Sequence, residues 1–527
     1  MINRRTLLKS IAASTLPLPA FAQSDRARTL KLVPQAGLSV LDPIWTTSAN
    51  TGAHGYHIFD TLFGLDAKLN PKPQMAERHN LSGDQLQWTI KLREGLKFHD
   101  GEPVLARDCI ASLKRWGARD TLGQVLMAAV NDWIVIDDRT FSIVLKYPFP
   151  MMLYALGKPA TSVPFIMPER LAKTDPAKQV TEMIGSGPYR FVADEFVSGS
   201  LAVYRKFDGY VPRQEPPERT SGGKVAYFDR VEWQAIPDAA TIFAALKRGE
   251  IDWWEHALAD MIPALKKDSN IRVSNGDPNG YVGLIRFNSS QPPFNNPKLR
   301  HAVLTAVKQL DYMEAVTGND PEAYRLCHAF LPCGTPFSET PKNDRMSEKP
   351  DLERAKKLVK ESGYAGEKVV IINPSDFPTI RPMGEITADL LRRLGLTVDL
   401  VETDWGTVLQ RRGSREPVDK GGWSIFHTWW QAIAITTPAT SGYLRGQGPT
   451  GWFGWYKNAK VEELTTQWMS AGNDAERLQI ANEIQDVAVE EAPAVPLGVF
   501  HIRSAYRASL TGIVEGVAPF PWNVRRV

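Results

Sequence analysis

The stretch Gln87 to Trp116, QWTIKLREGLKFHDGEPVLARDCIASLKRW, decides how this chain is read. Trp88, Ile90 and Leu92 alternate with Thr89, Lys91 and Arg93, the two-residue period of a half-buried strand. Glu94-Gly95 turns the chain. Leu96 to His99 then reads as a second short strand, closed by Asp100-Gly101, a strong turn signal, so the pair predicts a hairpin. After Pro103 the apolar Cys109, Leu113 and Trp116 recur at helical spacing, and Asp108 falls in the first turn, where its charge suits the helix dipole.

Farther along, the same logic gives a mixed α/β chain. Asn296 reads as an N-cap with Pro297 at the first helical position, and Leu299, Val303, Ala306 and Leu310 form one face. A helix from Leu352 to Glu361 ends at Ser362-Gly363. Another runs from about Ile380 to Leu394, stops at Gly395 and feeds a strand from Leu396 to Val401. Helix, glycine, strand is the αβ unit of a sheet covered by helices. A further strand is expected from Trp423 to Gln431, and 211–223 and 412–422 read as loops. At 527 residues the chain exceeds what one hydrophobic core organises, so two or three domains are expected.

The N-terminus carries Arg4, Arg5 and Lys9, then an apolar run from Ile11 to Phe21 and the small-x-small pattern Ala20-Phe21-Ala22. Residues 1–22 are therefore read as an export signal, the apolar run being far below the ~20 residues that span a bilayer. Asn3 to Lys9 also resembles a twin-arginine motif, with Asn3 and Leu7 departing from the usual pattern. Without this segment, basic and acidic residues are equal in number. Nucleic acid is thus not an expected partner, because no basic face or reader motif is present. No phosphate loop, G-x-S-x-G elbow or H-E-x-x-H occurs, so neither an enzyme nor a cofactor is expected.

Several motifs carry a family likeness. These are the 87–116 run, Leu41-Asp42-Pro43, Phe59-Asp60-Thr61-Leu62, Gly185-Ser186-Gly187-Pro188-Tyr189, Phe287-Asn288 with Pro292-Pro293-Phe294, and Glu490-Glu491-Ala492-Pro493 with Val495-Pro496-Leu497. Together they resemble the family 5 extracellular solute-binding proteins, the peptide-, nickel- and opine-binding subunits of bacterial ABC importers, over nearly the whole mature chain. The resemblance implies an α/β, two-lobed periplasmic binding protein of type II, cluster C-like, closing by a hinge. Lobe I would take 23–65, 186–278 and 495–527, with a subdomain inserted at 66–185, and lobe II would take 279–494. It further implies a periplasmic monomer that captures a small solute and presents it to an inner-membrane permease with its ATPase. The alternatives are a di- or oligopeptide-binding protein and a ligand-sensing or chaperone variant of the same fold.

Tryptophan supplies the candidate site. Trp253-Trp254 precede Glu255 in a segment that passes the cleft in the family, Trp405 follows Asp404, and Trp429-Trp430-Gln431 close a strand. Adjacent tryptophans on a strand point to opposite faces, and small-molecule clefts are lined by aromatic groups with a few placed polar ones. Trp253, Trp254, Glu255, Trp405, Arg411, Trp429, Trp430 and Gln431 are the expected ligand contacts. Each could equally be a packing residue, as could Trp452 and Trp455 in the loop 451–456. In the family's peptide binders an aspartate soon after the equivalent Trp meets the peptide's α-ammonium. Here 429–440 holds no acid, so a free ammonium would need Glu255 or Asp404 from elsewhere. Arg411-Arg412, Arg325 with His328, and Arg445 are basic residues able to grip an anion instead. A carboxylate- or amide-bearing solute with an apolar body is the expected ligand class. The pair His54 and His57 lacks an acidic or thiolate neighbour and sits among glycines, so no metal site is expected. Cys327 and Cys333, six apart, are candidates for a disulfide ring, although spacing alone does not fix their separation.

Overall fold

The computed structural model describes residues 26–160, 162–318, 320–335, 337–338, 346 and 349–527. The export signal expected at 1–22 lies outside them. Two mixed sheets carry the architecture. The first has seven strands in the order Tyr189–Phe191, Leu201–Lys206, Arg230–Gln234, Thr29–Val33, Trp253–Ala257, Arg503–Arg507 and Ile271–Asn275. The second has six, in the order Tyr324–Arg325, Ala494–Phe500, Tyr281–Phe287, Ile425–Gln431, Val369–Pro374 and Val398–Thr403. A four-stranded antiparallel sheet, Ala76–Leu81, Gln87–Leu92, Thr140–Leu145 and Val130–Asp137, forms the inserted subdomain.

The helix-to-strand readings match closely. Asp351 caps Leu352–Glu361, and Asn296 accepts the amide of Lys298 at the start of Pro297–Ala306. Helix Arg381–Arg393 ends two residues before Gly395, whose φ of +88° a side chain would resist. It joins the parallel strands Val369–Pro374 and Val398–Thr403 as a crossover. Leu310 departs from expectation. Val307 is extended, so the chain breaks at Ala306 and Leu310 belongs to the next helix, Gln309–Thr317.

The opening stretch is half as expected. Cys109, Leu113 and Trp116 are fully buried on helix Ala106–Gly117. Leu96 to His99, however, does not pair with Gln87–Leu92, which instead lies between Ala76–Leu81 and Thr140–Leu145. The segment folds on itself across Asp100-Gly101, with the Phe98 and Val104 amides donating to the Glu102 and Leu96 carbonyls. The lobe boundary near 495 also moves. Ala494–Phe500 pairs with Tyr281–Phe287 in the second sheet, and the chain returns to the first only at Arg503–Arg507. Cys327 and Cys333 are joined by a disulfide, with Cα atoms 5.7 Å apart.

Two crossings connect the lobes, 276–280 and 501–502, side by side, with the Gly276 amide donating to the Ile502 carbonyl at 3.4 Å. Gly280 has φ +76°, and a Cβ there would lie 2.8 Å from the Phe500 carbonyl oxygen. Such a position tolerates glycine and little else.

One buried ion pair fixes the entrance to the cleft. Asp42 accepts both Nη1 and Nη2 of Arg115 at 3.1 and 2.6 Å, and also the amides of Ile44 and Val180. It thereby ties the 42–48 loop to helix Ala106–Gly117 of the subdomain. Removing one member of a buried pair strands the other charge, a loss of about 3–5 kcal/mol. Asp42→Asn should lower unfolding free energy by that amount in urea titration. A loss below about 1 kcal/mol would mean that water already reaches Arg115.

Candidate ligand-binding cleft

Three elements bring polar groups and tryptophans together between the lobes. Strand Ile425–Gln431 delivers Thr428 to Gln431 at its end, so both faces of the strand reach the cleft. Helix Trp405–Arg411 is capped by Asp404, whose carboxylate accepts the Thr407 amide at 2.9 Å, and it presents Trp405 at its first position. From lobe I come Gln35 and the 46–50 segment that opens helix Ala49–Ile58.

Around them lies an inner cavity of about 790 Å³, part of it open to solvent. Its aromatic walls are Trp405, Trp429, Trp430 and Trp452. Phe377 packs against Trp405 at 5.0 Å between ring centres, Tyr281 against Trp429 at 4.6 Å, and Trp452 edge-on against Trp430 at 5.0 Å. A wider cavity of about 1870 Å³ adjoins it toward Trp254, sharing Gln35 and Phe377.

The polar inventory of the inner cavity is one-sided. Among the described residues, no Asp or Glu lines it. Arg412 does, only 2% exposed, and among the described residues its hydrogen bonds are two long ones from Nη2, to Thr46 Oγ1 at 3.5 Å and Thr47 Oγ1 at 3.2 Å. Its Nε is buried with no partner there. Burial holds the guanidinium below the usual arginine range, because nothing nearby offsets its lost hydration. Arg286, equally buried, makes the contrast: it donates to the carbonyls of Phe453, Tyr443 and Pro493 at 2.7 to 3.1 Å and is satisfied structurally. On the acceptor side, Gln35 Oε1 and Asn50 Oδ1 are buried without partners. The Asn50 amide nitrogen is already engaged by the Ala36 carbonyl, which leaves its oxygen facing the cavity group.

A profile of the bacterial extracellular solute-binding proteins, family 5, matches residues 70–452. The chain is 37% identical over 535 residues, all of it and 99% of the relative, to a probable peptide ABC transporter periplasmic-binding protein of Sinorhizobium fredii. The chain belongs to family 5 of the extracellular solute-binding proteins. It is a non-enzymatic receptor, the periplasmic solute-binding component of an ABC importer that works with a membrane permease. It is also 26% identical to the glutathione-binding protein of Escherichia coli K12, over 95% of this chain and 94% of that one. A periplasmic binding protein from A. tumefaciens R10 in complex with agropinic acid shares the two-lobed fold with TM-score 0.78 and 20% identity, covering 95% of this chain and 99% of the other.

The structure brings Trp405, Trp429, Trp430 and Gln431 of this solute-binding protein together at the inner cavity. Gln431 reaches across the cleft, donating from Nε2 to the Val517 carbonyl of lobe I. Trp254 faces the wider cavity and packs on Val33 and Ile242. Trp253 lines neither the inner nor the wider cavity but, with Glu255, a smaller one, its indole donating to Ser504 Oγ at 2.5 Å. Glu255 accepts the Gln35 amide at 2.8 Å and lines a separate, smaller cavity. Arg411 is corrected: its guanidinium donates to the Gly421 and Gly422 carbonyls at 2.9 Å and lines none of the cavities described here. Arg445 is committed to Glu462. His54 and His57 do lie on a helix, where they bond Tyr204 Oη and the Ala53 carbonyl. Arg412 was legible as an arginine on an apolar stripe, since Trp405, Val408, Leu409 and Arg412 share one helical face.

A buried charge without a partner weakens the ligand-free protein, because nothing repays its desolvation. Arg412→Met should therefore unfold no lower than wild type in the ligand-free state while losing anion binding. Marked destabilisation of the ligand-free variant would make Arg412 a structural residue.

Glu255 gives a pH prediction. Burial pushes its carboxyl up to about 7, so folding favours the protonated form. Its contribution is full below the unfolded value of about 4.3 and is lost as pH rises through the folded one. The stability of wild type minus that of Glu255→Gln should fall across this window in pH-resolved thermal unfolding. The buried histidines, whose values are lowered, act in the opposite direction and cancel in the subtraction. A flat difference would refute the burial of this carboxyl.

Proposed function

We propose that this receptor captures a solute bearing a carboxylate and neutral N–H donors on an apolar body, rather than a peptide with a free α-ammonium. The observation that carries the reading is Arg412, a buried cation with no carboxylate beside it in a cavity without acids. A bound carboxylate supplies the missing counter-charge through paired hydrogen bonds. Gln35 Oε1 and Asn50 Oδ1 accept from amide or imino hydrogens, and the tryptophan walls take the apolar body. Agropinic acid, named for one relative above, carries a carboxylate. Because Arg412 belongs to lobe II and Thr46, Asn50 and Gln35 to lobe I, such a solute touches both lobes, as ligand-driven closure requires.

Peptide capture is the second reading, favoured by the name of the 37%-identical relative. It would place the α-ammonium outside the inner cavity, against Glu255 or against Asp376 in the wider one. A thermal-shift screen of the mature protein separates the two. N-acylated amino acids, opine-type imino acids and aromatic acids should stabilise it, by about 4 kcal/mol at a thousandfold excess over Kd, and Arg412→Met should abolish this. Stabilisation by free di- or tripeptides alone, lost in Glu255→Gln or Asp376→Asn, would establish the second reading instead.

A further inference from the structure

Beyond Trp430 and Trp452 the cleft continues into an annex of about 1210 Å³. Thr46, Thr47, Ser162, Trp430 and Trp452 line both chambers, so one layer of side chains separates them. One bank is the inserted subdomain, where Arg119 precedes helix Thr121–Ala129. The other is lobe II, with Arg415 and Trp455. Gln447 donates to Gln124 Oε1 across the gap at 2.7 Å and fixes the spacing of the banks.

The annex is also one-sided in charge. Asp120 is its single lining carboxylate, and that group is used up by the amides of Leu122 and Gly123 and by the buried Lys158. Arg119 is aimed by the Trp45 carbonyl at 3.1 Å and Arg415 by the Pro449 carbonyl at 2.5 Å, and among the described residues neither has a carboxylate partner. The Arg415 guanidinium lies 4.9 Å over the Trp455 ring. Trp455 holds φ +48°, a left-handed conformation that a tryptophan rarely adopts and that surrounding structure must enforce. The enforcement is visible at Gly454, φ +96°, packed so tightly that a Cβ would sit 2.3 Å from the Phe287 carbonyl oxygen.

We propose that the annex binds a second carboxylate of the same solute, so that the transported compound is a two-headed anion held by Arg412 at one end and between Arg119 and Arg415 at the other. This rests on the Arg412 reading above. Each bank contributes one guanidinium without a carboxylate partner among the described residues, and an anion between them touches both the subdomain and lobe II. Such contacts form only when the banks approach, so they favour the closed form.

The test is calorimetric titration of the mature protein with paired probes: hexanoate and adipate, octanoate and suberate, N-acetylphenylalanine and N-succinylphenylalanine. At least one dicarboxylate should bind about tenfold more tightly than its monocarboxylate partner. In the Arg119→Gln/Arg415→Gln double variant that ratio should fall to about one. If no pair shows the advantage, or if it survives the double substitution, the annex proposal is wrong. Monocarboxylate binding that survives Arg412→Met would instead overturn the function proposed for the inner cavity.

Discussion

A guanidinium taken out of water without a counter-charge is the constraint around which this cleft is arranged. Stripping hydration from an isolated cation costs several kcal/mol even after relaxation, and the long hydroxyl contacts from Thr46 and Thr47 return little of it. The aromatic rings of Phe453 and Phe426, 4.6 and 5.7 Å from the Arg412 guanidinium, offset a further part. What is left is a cation whose electrostatics a bound anion would complete. The same two threonines stand on the opposite lobe, so Arg412 already couples the lobes weakly. A ligand carboxylate placed there converts a weak coupling into a charged one.

Delivering those threonines depends on a second buried charge that is fully compensated. Asp42 spends its carboxylate on Arg115 and on two backbone amides, which pins the 42–48 loop against the inserted subdomain. The subdomain thus acts on the site without contributing the ligand's main anchor. Its own buried pair, Lys158 with Asp120, does the same for the neighbouring 158–163 segment, which supplies Pro159 and Ser162 to the cavity wall. Compensated pairs build the frame, and the uncompensated arginine sits inside it.

Local signals in the sequence were reliable wherever the structure itself is local. Asn296, Asp351 and Gly395 mark helix ends because capping groups act within a few residues, and their helices start and stop where these residues require. Leu96 to His99 was misread as the partner of the preceding strand because the true partners are Ala76–Leu81 and Thr140–Leu145, pairings set by distant sequence. The return of the chain to the first lobe was placed at 495 rather than after Phe500 for the same reason, since a buried apolar strand reads identically in either sheet. Within the site, the tryptophans of strand Ile425–Gln431 were identifiable by their adjacency. Of the adjacent pair Arg411-Arg412, the sequence reading favours Arg411 as a ligand contact, whereas Arg412 is the one that lines the inner cavity. Helical phase would have corrected it, because Arg412 falls in line with Trp405, Val408 and Leu409 while Arg411 turns toward the Gly421-Gly422 loop.

Absence of an acid and presence of an unpaired cation are separate features, and their combination narrows the ligand more than either alone. A cavity lacking acids but also lacking Arg412 would accept any apolar body that matched the tryptophan walls, with affinity set by buried area. A cavity with Arg412 and a nearby carboxylate would be self-neutralised, and a zwitterion would have to break that internal pair before it bound. On the reading proposed above, the arrangement repels cations and gives neutral bodies no return for Arg412, which is already buried and unpaired without ligand, whereas an anion removes that penalty. Specificity in this cleft therefore comes from a destabilised ligand-free state as much as from the contacts the ligand makes.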